Sequence, residues 1–134
     1  MTGMASSITY TTDDTMRIRG VDVCDIARHA TFEEMAYLLW FGTLPRMYEQ
    51  KRFVKQLVDN REISKRMMDH LNSIPKHTHL IDALRSAISL LGHYDPDSVD
   101  NSICANQRKS VRLIEQIPTI ASTLYRINSN KEMT

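Results

Sequence analysis

A chain of 134 residues with 42% hydrophobic residues, 25% charged residues and a net charge of +1 is long enough to bury a core and has an ordinary globular composition. Its balanced charge excludes an electrostatic nucleic-acid binder or a membrane-surface protein. No apolar run reaches bilayer-spanning length, and the opening MTGMASSITY has neither the basic-then-apolar order of a secretory leader nor the Arg-rich pattern of a transit peptide, so the cytoplasm is the expected location.

Residues 7–20, SITYTTDDTMRIRG, are the expected strand region. Ile8, Tyr10 and the threonines favour extended backbone, Asp13-Asp14 favour a turn, and Met16 to Arg19 resume alternation. A small two-stranded hairpin follows. Residues 21–30 read as a short helix with Val23, Ile26 and Ala27 on one side and Asp22 and Asp25 near its positive end. The next helix, 31–41, has the clearest signals in the chain. Thr31 and Glu34 have capping-box spacing, Phe32, Met35, Leu38 and Leu39 form an apolar stripe, and Gly42 and Pro45 mark the stop. Trp40 is assigned to packing.

Residues 46–60 form a third helix with Phe53, Val54, Leu57 and Val58 inward. Residues 64–73 form a fourth, with Met67, Met68 and Leu71 buried and Pro75 closing it. The fifth, 79–91, is apolar on two faces: Leu80, Leu84, Ala87 and Leu91 on one, and Ile81, Ile88 and Ala83 on the other. Burial on two sides follows, inside a large body or between subunits. Residues 92–102, GHYDPDSVDNS, are a loop. A final helix, 103–128, keeps Val111, Ile114, Ile117, Ala121 and Leu124 in register through Pro118, which costs a hydrogen bond and bends the axis. The tail NSNKEMT is expected to be disordered.

Three of these segments resemble the citrate synthase family. The stretch TFEEMAYLLWFGTLP with its neighbours is similar to that family's R-G-Y-D-I-x-x-L-A-x-x-A-S-F-E-E-V-A-Y-L-L-W-x-G-x-L-P, near its N-terminus. Arg19 and Gly20 match, whereas Ile18 and Val21 replace aromatic residues and Arg46 replaces a Ser or Thr cap, so the third helix is expected to fray at its start. Residues 79–91 resemble A-H-P-M-D-A-L-R-T-A-V-S-x-L, with Asp82, Leu84, Arg85 and Ser89 matching. Leu80 and Ile81 stand in place of Pro-Met, and Ser86 in place of Thr. Leu113, Ile117, Pro118, Ala121, Tyr125 and Arg126 match R-L-x-A-x-I-P-x-x-x-A-x-x-Y-R.

The resemblance implies an all-α fold, namely the multi-helix N-terminal part of the family's large domain with a small N-terminal β-hairpin, spanning 1–134 as one helical segment. It implies a homodimer through helix His79–Leu91, with Leu80, Leu84, Ala87, Ile88 and Leu91 at the contact. It also implies acetyl-CoA and oxaloacetate as substrates of the intact enzyme, with neither bound by this segment. The family's catalytic histidines and aspartate lie in later motifs resembling L-H-G-G-A-N, G-F-G-H-R-V-Y and N-V-D-F-Y, none of which occurs here. The chain alone is therefore expected to be inactive. A 2-methylcitrate synthase is the rival reading within the class, and a stand-alone helical dimerisation module is the rival outside it.

Judged without the family, the chain presents no assigned catalytic, cofactor or metal residues. His77-x-His79 beside Asp82 is a partial metal pattern, read as a helix-entry loop. Glu33-Glu34 and Asp13-Asp14 are adjacent acids; neighbouring positions on a helix point apart, so no carboxylate dyad is implied. Asp95-x-Asp97 with Asp100 lacks the glycine and terminal glutamate of a calcium loop. Cys24 and Cys104 form no C-x-x-C pair and read as buried or idle thiols in a reducing compartment.

Overall fold

The computed structural model describes residues 6–129. The opening five residues and the last five, including most of the tail expected to be disordered, lie outside the described residues. The chain divides into two compact units, Met1–Lys55 and Gln56–Thr134.

The first unit opens with a three-stranded antiparallel sheet: β1 (Thr9–Thr11), β2 (Met16–Ile18) and β3 (Val21–Asp22), in that order. The Asp13-Asp14 turn is closed by the Thr12 N–H donating to Thr15 O at 2.8 Å, with the two threonine hydroxyls 2.8 Å apart. The third strand corrects the expectation of a two-stranded hairpin followed by a helix from residue 21. Arg19 and Gly20 have φ values of 51° and 85°, the pair of positive angles that a tight two-residue hairpin needs. That turn sets Ile18 opposite Val21 and Arg17 opposite Asp22. The Asp22 carboxylate then accepts from Cys24 N–H at 2.8 Å, so α1 begins only at Val23 (Val23–His29).

Helix α2 (Phe32–Phe41) carries the full capping box. Thr31 N–H donates to Glu34 Oε2 at 2.8 Å, and Glu34 N–H donates to Thr31 Oγ1 at 3.2 Å. Gly42, at φ 81°, ends it by donating to Leu38 O at 2.8 Å. Leu38 is buried, whereas Phe32, expected in the same stripe, is 62% exposed. In the first helical position its side chain leans back past the cap, where no turn of helix lies beneath it.

Helix α3 (Met47–Asp59) places Phe53 edge-on to Tyr37 (5.4 Å between centroids) and Trp40 (5.5 Å), and Trp40 is a packing residue. Phe53 and Leu57 are buried, but Val58 is exposed. Arg46 offers no side-chain acceptor as a cap. Its N–H nevertheless donates to Glu49 Oε2 at 2.8 Å, giving the expected weak start half of a capping box.

The second unit packs α4 (Lys65–Ser73), α5 (Leu80–Tyr94) and α6 (Ile103–Asn128) around Met67, Leu71, Ala83, Ala87, Ile120 and Leu124. Ser64 and Ser102 cap α4 and α6, their hydroxyls accepting from Met67 and Ala105 N–H. Helix α5 continues three residues past Leu91, through a glycine and a histidine that the sequence pattern assigns to a loop. Helix α6 runs unbroken through Pro118.

The expected α6 stripe is displaced. Of Val111, Ile114, Ile117, Ala121 and Leu124, only Leu124 is buried, and the other enclosed positions are Ala105, Glu115, Ile120 and Thr123. The polar members of that face have hydrogen-bond partners. Thr123 Oγ1 donates to Thr119 O at 2.8 Å, and Glu115 accepts from Arg61 Nε at 2.8 Å.

Candidate functional site

The surface to which sequence reasoning points is α5, and its residues divide by environment. Ala87 is fully enclosed and Ala83 nearly so, both in the core shared with α4 and α6. Their small side chains allow close helix approach. Leu84 and Leu91 are half-buried against that same core. Leu80 is 38% exposed and Ile81 55% exposed, two apolar side chains open at the helix start. Ile88 is half-buried and lines a cleft. In the exposed remainder, Arg85 Nη1 donates to Asp82 Oδ1 at 3.2 Å, and Ser86 Oγ donates to Asp82 O at 3.1 Å. The start of α5 is set by His79, whose Nδ1 accepts from Ile81 N–H at 3.4 Å.

Beyond the end of α5 lies a clasp of opposite charges that the sequence reading missed. Arg108 and Arg112 stand one turn apart on α6 and face the following loop. Arg112 donates twice to the Asp95 carboxylate (Nη2 at 2.7 Å, Nε at 3.0 Å) and once to Asp97 Oδ2 at 2.7 Å. Arg108 forks onto Asp97, its Nε donating at 3.1 Å. Asp97 N–H donates to Asp95 Oδ1 at 2.7 Å, tightening the turn. Charge-assisted, two-pronged pairs of this kind fix geometry as well as contributing energy.

The Arg108 hydrogen bonds, then that of Arg112, hold the Asp97 carboxyl far below the usual carboxylate range, while burial opposes them. The signal was available in the sequence as two arginines at i, i+4 following an Asp-x-Asp, once calcium was set aside. Asp100, the third acid of that pattern, is used differently. Its Oδ1 accepts from Ser102 N–H at 2.8 Å, and its backbone oxygen accepts from Lys109 Nζ at 2.7 Å.

A cleft of about 480 Å³ opens beside the clasp, lined by Ile88, Leu91, Tyr94, Lys109 and Leu113 among others. Across Tyr94 lies the Arg66 guanidinium, 5.5 Å from the ring centroid. A smaller hollow of about 280 Å³ in the first unit is bordered by Asp25, His29 and Glu34. Both Glu34 oxygens are engaged, one by Thr31 N–H and the other by Gln50 Nε2 at 3.0 Å. Among the described residues no group of three or more His, Cys, Asp or Glu side chains is placed to hold a metal ion. Both cysteines are free and exposed. No helix among the described residues is long and apolar enough to cross a membrane.

Comparison with known proteins bears on the chain as a whole. The family model described as "Citrate synthase, C-terminal domain" matches residues 1–134. The chain is 34% identical to citrate synthase 2 of Bacillus subtilis over 128 residues, covering 95% of this chain and 34% of that one. It is 36% identical to 2-methylcitrate synthase of Mycobacterium tuberculosis over 109 residues, 81% of this chain and 27% of that one. Its backbone matches the crystal structure of citrate synthase from Thermotoga maritima with a TM-score of 0.81 at 32% identity, over 98% of this chain and 34% of that one. The chain thus spans about a third of the length of the relatives it matches. Sequence and backbone agree, and the chain belongs to the citrate synthase family.

Proposed function

We propose that this chain is the N-terminal portion of a citrate synthase-like acyltransferase, supplying scaffold and dimer contacts and performing no chemistry by itself. The parent reaction joins the methyl carbon of acetyl-CoA to the ketone of oxaloacetate and then hydrolyses the thioester to give citrate and CoA. A thioester C–H is so weak an acid that a base and a stabiliser of the enolate oxygen must be held in place together. The sequence carries none of the three motifs that would supply them.

The observation that carries this reading is the end-to-end superposition of the chain on about a third of the Thermotoga maritima protein. Placement in the N-terminal rather than the C-terminal part is our reading of the motif order, since the matching family model is described as a C-terminal domain. The proposed dimer contact is α5, supported by the open Leu80 and Ile81 at its start and the half-buried Ile88 along it, while Leu84 and Leu91 also pack on the core of their own unit. Ala87 contributes by letting α5 lie close to α4 and α6. The intact enzyme would work in the cytoplasm.

Acetyl-CoA or propionyl-CoA as co-substrate, with citrate or 2-methylcitrate as product, is a choice of one methylene. Such a choice is worth only about 1–3 kcal/mol in an apolar pocket. Relatives bearing both names occur at similar identity, and we favour citrate.

The test is thioester cleavage by the purified chain with oxaloacetate and either acyl-CoA. Background rates are expected with both. Turnover above background would overturn the reading of this chain as scaffold only.

A further inference from the structure

We draw no further inference here: the strongest candidate, the cleft of about 480 Å³ between the end of α5, the loop after it and α6, has its charged lining already paired, Arg112 with Asp95 and Asp97 and Lys109 with the Asp100 carbonyl, and nothing in the structure shows what covers it.

Discussion

The Arg19 guanidinium donates to the backbone oxygen of Leu39 through Nη2 at 2.9 Å and Nε at 3.3 Å. Leu39 lies in the last turn of α2, whose carbonyls have no partners within the helix. A cation there also complements the negative end of the helix dipole. A third donor, Nη1, reaches Ser7 O at 3.3 Å, so one side chain joins the start of the sheet to the end of α2. Arg19 does this from a backbone with φ 51°, a conformation that costs a residue with a Cβ about 1 kcal/mol or more.

Two substitutions separate these opposing effects. Arg19→Ala keeps the strain and loses the hydrogen bonds, so it is expected to destabilise the chain by about 1–2 kcal/mol in urea unfolding. Arg19→Gly loses the same bonds but relieves the strain. It is expected to be less destabilising than Arg19→Ala by about 1 kcal/mol. Equal losses in the two variants would mean that the left-handed backbone carries no cost here.

The acid limb of stability reports on the clasp. Asp97 has a folded-state pKa depressed by Arg108 and Arg112. Its contribution is therefore fully present above the unfolded value, near about 4, and is lost as the pH falls toward the depressed folded value. Asp97→Asn is expected to be less stable than the parent chain at pH 7. The gap is expected to narrow as the pH drops below about 4, followed by urea or thermal unfolding at each pH. A gap that stays constant from pH 7 to pH 3 would show that Asp97 acts through something other than its charge.

The core of the second unit depends on small side chains. Ala87 is fully enclosed between α5, α4 and α6. Ala87→Leu is expected to cost about 1–3 kcal/mol by overpacking. Leu71→Ala, in the same cluster, is expected to cost about 2–5 kcal/mol through the cavity it leaves. A neutral Ala87→Leu would show slack between these helices.

Local signals in the sequence located most elements of the fold, and what was misjudged depends on an unusual turn conformation or on hydrogen-bond partners that a hydrophobic pattern does not carry. Thr31, Glu34 and Gly42 act within one helix and were legible at once, as were the helix containing Pro118 and the packing role of Trp40. The third strand was not, because it depends on a two-residue turn in which Arg19 adopts a conformation usually left to glycine, asparagine or aspartate. The buried face of α6 was hidden by Glu115 and Thr123, polar residues whose enclosure is made possible by partners that periodicity does not reveal. The clasp is hidden for a related reason: Asp95 and Asp97 carry a metal-ligand pattern, and their partners Arg108 and Arg112 lie on the following helix.

The same limit applies to the proposed contact. Periodicity grouped Leu80, Leu84, Ala87 and Leu91 as one surface, whereas the fold leaves the start of that row open and turns Ala87 inward. Leu84→Asp is therefore an ambiguous probe, because Leu84 packs on the core of its own unit. Ile81, more than half exposed, can be changed with little expected effect on folding.

Sedimentation equilibrium of the chain and of Ile81→Asp tests most directly whether α5 is an interface between copies. The parent chain is expected to show twice its 15.5 kDa mass and Ile81→Asp a weakened dimer with an unchanged unfolding midpoint. A parent chain that stays at 15.5 kDa at high concentration, or an Ile81→Asp variant that dimerises as tightly as the parent, would contradict the account.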